Sequence, residues 1–220
     1  MTRPLILVDG IDGSGKSHLA ERIRQEASAA GLRAVLLRVD DFRIATAWAG
    51  VDEAEVYYES YYDLRGLDAC VSAYRAGAEA IEVPAFDSAT ERVAQVRRIP
   101  LTDTQVLIVE GVFVRRLPSA EGATLIYIET SYPEARRRIL ARDLAKGRSA
   151  ADVERRVDRR YAPSQRRYHE RFQPRAHAHV VVDHEILGAP TVIHAAVAEH
   201  HPTVRAALAF MADGLHGPTI

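Results

Sequence analysis

The sequence GIDGSGKS at residues 10–17 carries the clearest chemical signal in the chain, because it fits the pattern G-x-x-x-x-G-K-[ST]. Glycines let the backbone approach a phosphate closely, and successive N–H groups can then point inward as an anion-binding nest. A helix that follows adds the partial positive charge of its N-terminus. Lys16 can reach the β- and γ-phosphates, and the Ser17 hydroxyl can hold Mg²⁺. The motif therefore predicts a site for a nucleoside triphosphate with magnesium.

The residues on either side of the motif supply the elements that it requires. LILV at residues 5–8 is an aliphatic run typical of a strand that is buried on both faces. After the motif, apolar or small residues recur with helical spacing until Gly31, where the helix is predicted to end. The alternative is a glycine-rich turn without a ligand, and the strand–turn–helix context argues against it.

Aliphatic runs and helical patterns alternate along the rest of the chain. Buried strands are predicted at 5–8, 34–39, 106–109, 124–129 and 179–183, and a hairpin or flap at 80–86 and 95–101. Helices are predicted at 64–76, 132–146 and 150–172, and helical segments close the chain. This alternation predicts an α/β fold, in which helices cover both faces of a five-stranded, mainly parallel sheet. We expect one domain over residues 1–220.

Charge and composition restrict the classes of partner. The 220 residues carry a formal net charge of −1, so the whole molecule is not a binder of polyanions. The basic segment, residues 131–175, holds a local excess of Arg and is a candidate mobile lid subdomain. We expect no nucleic-acid partner, because the chain contains no recognised nucleic-acid module.

Other sequence features bear on the environment of the protein. Cys70 is the only cysteine, which excludes an internal disulfide. The sequence shows no signal segment and no apolar run of membrane-spanning length, so we expect a soluble cytoplasmic protein without a membrane partner. The sequence leaves the oligomeric state open, including a homo-oligomer.

Carboxylates at the ends of two predicted strands could act on the bound nucleotide. VDDF places Asp40 and Asp41 after the second strand, where one could accept the proton of an attacking hydroxyl. VLIVEG places Glu110 at another strand end, where a carboxylate can bind Mg²⁺ directly or through water. Either could instead be an ordinary polar residue after a strand.

The class of nucleotide-dependent protein can be narrowed further. GTPases of this type usually recognise guanine with Asn-Lys-x-Asp, and this chain contains no Asn. A motor-type ATPase normally needs a longer chain, whereas a small-molecule kinase fits 220 residues. These observations favour transfer of a phosphoryl group from ATP to a hydroxyl of a small molecule.

Arginines of the basic segment could neutralise the charge that develops during phosphoryl transfer, because a guanidinium binds phosphate through two N–H groups. Arg138, Arg142 and Arg148 are expected in or beside the turn between the two basic helices, although a solvated helical face is an equally good interpretation of any one of them. Lys16, Asp40 and Arg142 are the candidate catalytic residues. The candidate nucleotide-binding residues are Gly10, Asp12, Gly13, Ser14, Gly15, Lys16, Ser17, His18, Arg138, Arg142 and Arg148.

The ordered set GxDGSGKS, DDF, PAFD, VLIVEG and Arg-Asp with a nearby GR resembles the uridine kinase and phosphoribulokinase group of P-loop kinases. The resemblance covers residues 4–185. It implies that Asp40 is the catalytic base and that Ser17 and Glu110 bind magnesium. It also implies that Asp63 binds ribose hydroxyls and that Phe86 and Asp87 lie near the nucleobase.

Departures from the family pattern concern the acceptor. Arg43 replaces a Tyr, and the stretch containing Arg92 replaces one in which uridine kinases carry a base-recognising His. Arg43 and Arg92 could bind an anionic acceptor or lie on the surface. A nucleoside is the first choice of acceptor, and another hydroxyl compound is the second. A nucleoside monophosphate kinase and a nucleotide-binding regulator without transfer activity are the alternatives.

Four tyrosines lie in the stretch that precedes the predicted helix at 64–76. Tyr57, Tyr58, Tyr61 and Tyr62 are spaced so that they could form an aromatic wall for the acceptor. The same spacing fits one face of a helix that packs on the core.

Overall fold

A computed structural model of the chain describes residues 3–87, 90–197 and 200–211. The strands are β1 (Leu5–Gly10), β2 (Ala34–Arg38), β3 (Ala80–Asp87), β4 (Arg92–Pro100), β5 (Val106–Glu110), β6 (Thr124–Glu129), β7 (Val180–Asp183) and β8 (Thr191–Ala195). The helices are α1 (Lys16–Ala29), α2 (Glu53–Glu59), α3 (Leu64–Arg75), α4 (Tyr132–Ala145), α5 (Ala150–Arg156), α6 (Ala162–Phe172) and α7 (Pro202–Ala207). A 3₁₀ turn over Val39–Phe42 follows β2, and a π-helical turn over Val157–Tyr161 joins α5 to α6.

The central sheet has the strand order β2-β5-β1-β6-β7-β8. The first five strands in this order are parallel, and β8 pairs antiparallel with β7. The predicted α/β fold with a mainly parallel sheet is confirmed, with six strands instead of five. The sixth strand was missed because β8 lies at an edge and is mostly exposed, so it lacks the aliphatic run that marks a buried strand.

Two apolar cores lie on opposite faces of this sheet, which makes the three layers. In β1, Leu5 and Leu7 belong to one core, and Ile6 and Val8 belong to the other, as alternation along a strand requires. The first core contains α3 and the buried tyrosines of α2. The second contains α1 and α7. Within the described residues, no helix is both long and apolar enough to cross a membrane.

The predicted hairpin is present as a separate two-stranded antiparallel sheet of β3 and β4. Most residues of β4 are exposed, and the register shifts between Ala85 and Phe86. The hairpin therefore projects from the body of the protein and is anchored mainly by β3, whose Ile81 and Val83 belong to the first core.

The last part of the basic segment is anchored to α2 by a buried ion pair. Arg160, which is 2% exposed, donates to a carboxylate oxygen of Glu53 at 2.9 Å. Its guanidinium also lies 3.3 Å from the centre of the Trp48 ring. Tyr168 of α6 is buried in the first core. That residues 131–175 move as a lid, and that the chain is one domain, stay predictions.

Candidate active site

The loop between β1 and α1 has the geometry of an anion-binding turn. Gly13 and Gly15 have φ of +81° and +99°, in the left-handed region that glycine tolerates. Neither position has space for a side chain. A Cβ on Gly13 would lie 2.7 Å from the Ala135 carbonyl oxygen, and one on Gly15 would lie 2.5 Å from Nδ1 of His184. The glycines are required by both backbone conformation and packing.

Two contacts fix the conformation of this loop, one from inside it and one from outside. The Lys16 Nζ donates to the Ile11 carbonyl at 2.8 Å, so the ammonium lies across the loop, where phosphate oxygens would need it. His184, which follows β7, contacts the loop from outside, with Nδ1 2.7 Å from the Ser14 carbonyl oxygen. The loop is thus held in shape by Lys16 at the start of α1 and by His184 at the end of β7.

Ser17 and Glu110 lie together at the start of α1 and the end of β5. The Ser17 hydroxyl donates to Oε1 of Glu110 at 3.1 Å. Burial raises the pKa of Glu110 above its usual value, and the nearby Lys16 ammonium opposes this shift. A hydroxyl and a carboxylate side by side are hard oxygen ligands that fit Mg²⁺. Among the described residues, no group of three or more His, Cys, Asp or Glu side chains could hold a metal by itself.

Asp40 lies in the turn that follows β2, which is the neighbour of the strand that ends at Glu110. Its side chain is 59% exposed and therefore accessible to a substrate. Oδ1 accepts a hydrogen bond from Arg43 at 2.7 Å and one from the Tyr62 hydroxyl at 3.3 Å. The next carboxylate, Asp41, instead binds Arg97 of the hairpin at 2.8 Å. The two aspartates of VDDF thus have different surroundings, and only Asp40 faces the phosphate loop.

A single cavity of about 440 Å³ joins most of the predicted site. Its lining includes Asp12, Gly13, Gly15, Lys16, Ser17, His18, Asp40, Glu110, Arg138 and Arg142. Eight predicted site residues are not part of the lining: Gly10, Ser14, Arg43, Asp63, Phe86, Asp87, Arg92 and Arg148. A second depression of about 450 Å³, at the base of the hairpin, contains none of the predicted residues.

The three predicted arginines occupy different positions. Arg138 lies within α4, two turns before its end, and not near the turn where it was expected. It is 9% exposed and donates to the carbonyl oxygens of His184 at 2.6 Å and Glu185 at 3.1 Å. Arg142 and Arg148 flank Asp143, with contacts of 2.8 and 2.7 Å. Although burial opposes it, these guanidiniums lower the pKa of Asp143, so they form a stable cluster of charges beside the cavity.

The residues predicted for the acceptor lie further out. The Asp63 carboxylate accepts from the Gly66 N–H at 2.9 Å and caps α3. Phe86 and Asp87 end β3, and Asp87 accepts from the Thr90 hydroxyl at 2.7 Å and lies opposite Arg92 in the hairpin.

The tyrosine stretch contributes mainly to the core. Tyr57 and Tyr58 of α2 are buried in the first core, as expected for a helix face packed on the protein body. The helix ends at Glu59, so Tyr62, which is also buried, lies in the turn that follows and not on the predicted helix face. Tyr61 is half-buried, and its ring lies 5.2 Å from that of Trp48. Tyr62 lines the cavity, and the rings of Tyr61 and Trp48 lie outside its lining.

One titratable residue beside the loop was missed. Asp9 is fully buried at the end of β1 and accepts hydrogen bonds from the Tyr168 hydroxyl and the Gly10 N–H. Burial raises the pKa of Asp9 to about 6, and those hydrogen bonds oppose the shift. An acidic residue at the end of an otherwise aliphatic strand was the signal that could have identified it.

Solved structures of several P-loop kinases resemble this structure. A protein from Bacillus stearothermophilus described as a possible uridine kinase gives a TM-score of 0.64 at 21% identity, over 82% of this chain and 89% of that one. A protein from Silicibacter sp. TM1040, to which a fructose transport system kinase function is ascribed, gives 0.63 at 22% identity, over 77% and 85%. D-glycerate 3-kinase from Cryptococcus neoformans gives 0.60 at 15% identity, over 87% and 90%.

No protein-family model and no curated protein matches the sequence. The similarity to known proteins is therefore structural, and at 15–22% sequence identity it shows the fold alone. This chain has the fold of the uridine kinase-like P-loop kinases.

Proposed function

We propose that this protein is a kinase that transfers the γ-phosphoryl group of ATP, with Mg²⁺, to a hydroxyl group of a small molecule. One observation carries the proposal: a single cavity is lined by the phosphate loop, by the Ser17–Glu110 pair and by Asp40. A nucleotide-binding protein without transfer chemistry needs the loop. It does not need an accessible carboxylate in the same cavity.

At the nucleotide end, backbone N–H groups of the loop between β1 and α1 bind the β- and γ-phosphates, assisted by the N-terminus of α1. The Lys16 ammonium exchanges the Ile11 carbonyl for phosphate oxygens. Ser17 and Glu110 hold Mg²⁺, which when bound neutralises charge on the phosphate oxygens. Arg142, which lines the cavity, stabilises charge on the transferred group.

At the acceptor end, Asp40 orients the attacking hydroxyl and takes its proton. The hydroxyl oxygen forms a bond to the γ-phosphorus as the bond to the β-phosphate oxygen breaks, and ADP leaves. Arg43 and Tyr62 hold Oδ1 of Asp40, which leaves Oδ2 to face the acceptor.

A nucleoside is our first choice of acceptor. The Arg43 guanidinium lies 5.9 Å from the centre of the Tyr61 ring, so this ring and its Trp48 neighbour are close to Asp40 and could stack on a flat base. Asp63, Phe86 and Asp87 are assigned to the outer part of the acceptor site through the family resemblance. Arg92, at a position where the sequence departs from the family, is assigned there for its charge. A sugar or another hydroxyl compound is the second candidate, because two of the similar structures carry names of sugar or glycerate kinases.

The test is acceptor-dependent release of ADP from ATP, measured by a coupled assay over a panel of nucleosides, nucleoside monophosphates, sugars and hydroxy acids. We expect a nucleoside to accelerate ADP release far above the rate without acceptor. Nucleotide binding with no acceleration by any compound would contradict the proposal and support a regulator. Acceleration by monophosphates alone would identify a nucleoside monophosphate kinase.

Two variants with matched controls assign the roles of individual residues. Lys16→Ala should abolish transfer, whereas Lys146→Ala, at the only other lysine, should retain it. Asp40→Asn should abolish transfer and keep ATP binding, with Asp41→Asn as the control at the adjacent carboxylate. Normal turnover by Asp40→Asn would refute the assignment of the base.

A further inference from the structure

The carboxylates of Asp12 and Asp40 are connected by two tyrosine hydroxyls. The Tyr57 hydroxyl lies 2.8 Å from Oδ2 of Asp12, and the Tyr62 hydroxyl lies 3.3 Å from Oδ1 of Asp40. The two hydroxyl oxygens are 3.1 Å apart. A continuous path of hydrogen-bond distances therefore runs from the candidate base to the phosphate loop, through side chains of α2 and of the turn that follows it.

The path holds one more proton when Asp40 is protonated than when it is ionised. Burial raises the pKa of both phenols well above the usual value, and Asp12 adds to the shift at Tyr57 as Asp40 does at Tyr62. Each hydroxyl therefore keeps its one proton. When both carboxylates are ionised, each tyrosine donates its proton to the carboxylate beside it. The contact between the two tyrosine oxygens then has no proton and is not a hydrogen bond. One proton added to either carboxylate completes all three hydrogen bonds.

We propose that Tyr57 and Tyr62 form a proton relay that carries the acceptor's proton from Asp40 to Asp12 during phosphoryl transfer. The inference rests on the proposed kinase function and adds positioning residues to it. Asp40 takes the proton on Oδ2 as the acceptor oxygen bonds to phosphorus, and its carboxyl group then turns so that the protonated oxygen faces the Tyr62 hydroxyl. Tyr62 accepts this proton and passes its own to Tyr57, which passes its own to Asp12. Asp40 is then ionised again, and the net change is one proton on Asp12.

The two ends of the path have different partners. Oδ1 of Asp40 forms an ion pair with the Arg43 guanidinium at 2.7 Å, and that ion pair is restored once the proton has moved on. Oδ2 of Asp12 accepts a hydrogen bond from a neutral donor, the Gln165 amide, at 2.6 Å, and the charge of Arg142 also acts on this carboxylate. Because Gln165 lies on α6, the end of the relay is also connected to the basic segment.

Tyr57→Phe tests the relay, because it removes the hydroxyl next to Asp12 and leaves the contact between Tyr62 and Asp40 in place. Tyr58→Phe is the matched control from the same helix, since the buried Tyr58 hydroxyl has no hydrogen-bond partner among the described residues. Single-turnover transfer should be slower by about three- to tenfold in Tyr57→Phe, the effect expected from loss of one buried hydrogen bond, with unchanged ATP affinity. Tyr58→Phe should match the wild type.

The distinguishing readout is the transfer rate in mixtures of H₂O and D₂O. Several protons moving together give a curved dependence on the D₂O fraction in the wild type and in Tyr58→Phe, and one proton gives a straight line in Tyr57→Phe. Asp12→Asn, which removes the final acceptor, should reproduce the straight line if Tyr57→Phe does not fold. Identical curves in Tyr57→Phe and Tyr58→Phe would overturn the relay alone. Absence of acceptor-dependent turnover in the wild type would overturn the proposed function, and the relay with it.

Discussion

Replacing Asp9 by Asn should change how stability depends on pH. Asp9 is fully buried at the end of β1, and burial raises its pKa from 3.8 to about 6. In the unfolded chain the carboxyl loses its proton near its ordinary value, whereas the folded protein retains it up to about pH 6. The folded state therefore binds more protons in this window, and stability falls as the pH rises through it.

The size of the effect follows from the shift. The rise in the Asp9 pKa from 3.8 to about 6 corresponds to a loss of about 3 kcal/mol in the free energy of unfolding between low and high pH. About 2 kcal/mol of this loss occurs between about pH 4.5 and about pH 7.5. Asn does not titrate. The free energy of unfolding of Asp9→Asn, relative to that of the wild type, should therefore rise by about 2 kcal/mol over this interval.

Urea unfolding of both proteins at the two pH values measures this difference, and other titrating groups cancel in the comparison. Tyr168→Phe is the companion variant, because it removes a hydrogen bond that lowers the Asp9 pKa. It should lose stability relative to the wild type as the pH rises. A constant difference between Asp9→Asn and the wild type at both pH values would refute the reasoning.

Two further predictions concern the phosphate loop and the anchor of the basic segment. Gly15→Ala should abolish binding of an ATP analogue, measured by calorimetry, because its Cβ would meet a histidine ring at 2.5 Å; Gly31→Ala, also at positive φ but with open space around it, should bind normally. Glu53→Ala should lower the free energy of unfolding by about 3–5 kcal/mol, because it leaves the buried Arg160 charge unpaired. Glu55→Ala, at an exposed ion pair, should cost at most about 1 kcal/mol, and equal losses in the two variants would contradict the anchor.

The parts of the site that were predicted are those that local sequence determines. The motif GIDGSGKS identifies Lys16 and Ser17 together, because all the groups of the motif that would bind phosphate or Mg²⁺ lie in one loop. Asp40 and Glu110 were predicted because acidic residues follow aliphatic strands, and parallel strands end at one edge of the sheet. The order β2-β5-β1 then brings both carboxylates to the loop.

Contacts between distant parts of the chain were not predicted. Asp12 receives a hydrogen bond from Gln165, 153 residues away, and Asp9 receives one from Tyr168, 159 residues away. Both depend on how α6 packs on the sheet, which helical periodicity does not specify. Arg138 was assigned to a turn from its charge, whereas its burial against backbone carbonyls is set by the path of the chain after β7.

The central claim is that the loop of residues 10–17 binds the phosphates of ATP within reach of Asp40. A crystal structure with Mg²⁺ and a non-hydrolysable ATP analogue tests it most directly. We predict phosphate density enclosed by the loop N–H groups, Lys16 bound to the terminal phosphates, and the metal beside Ser17 and Glu110. Analogue density elsewhere in the protein, with this loop empty, would contradict the account.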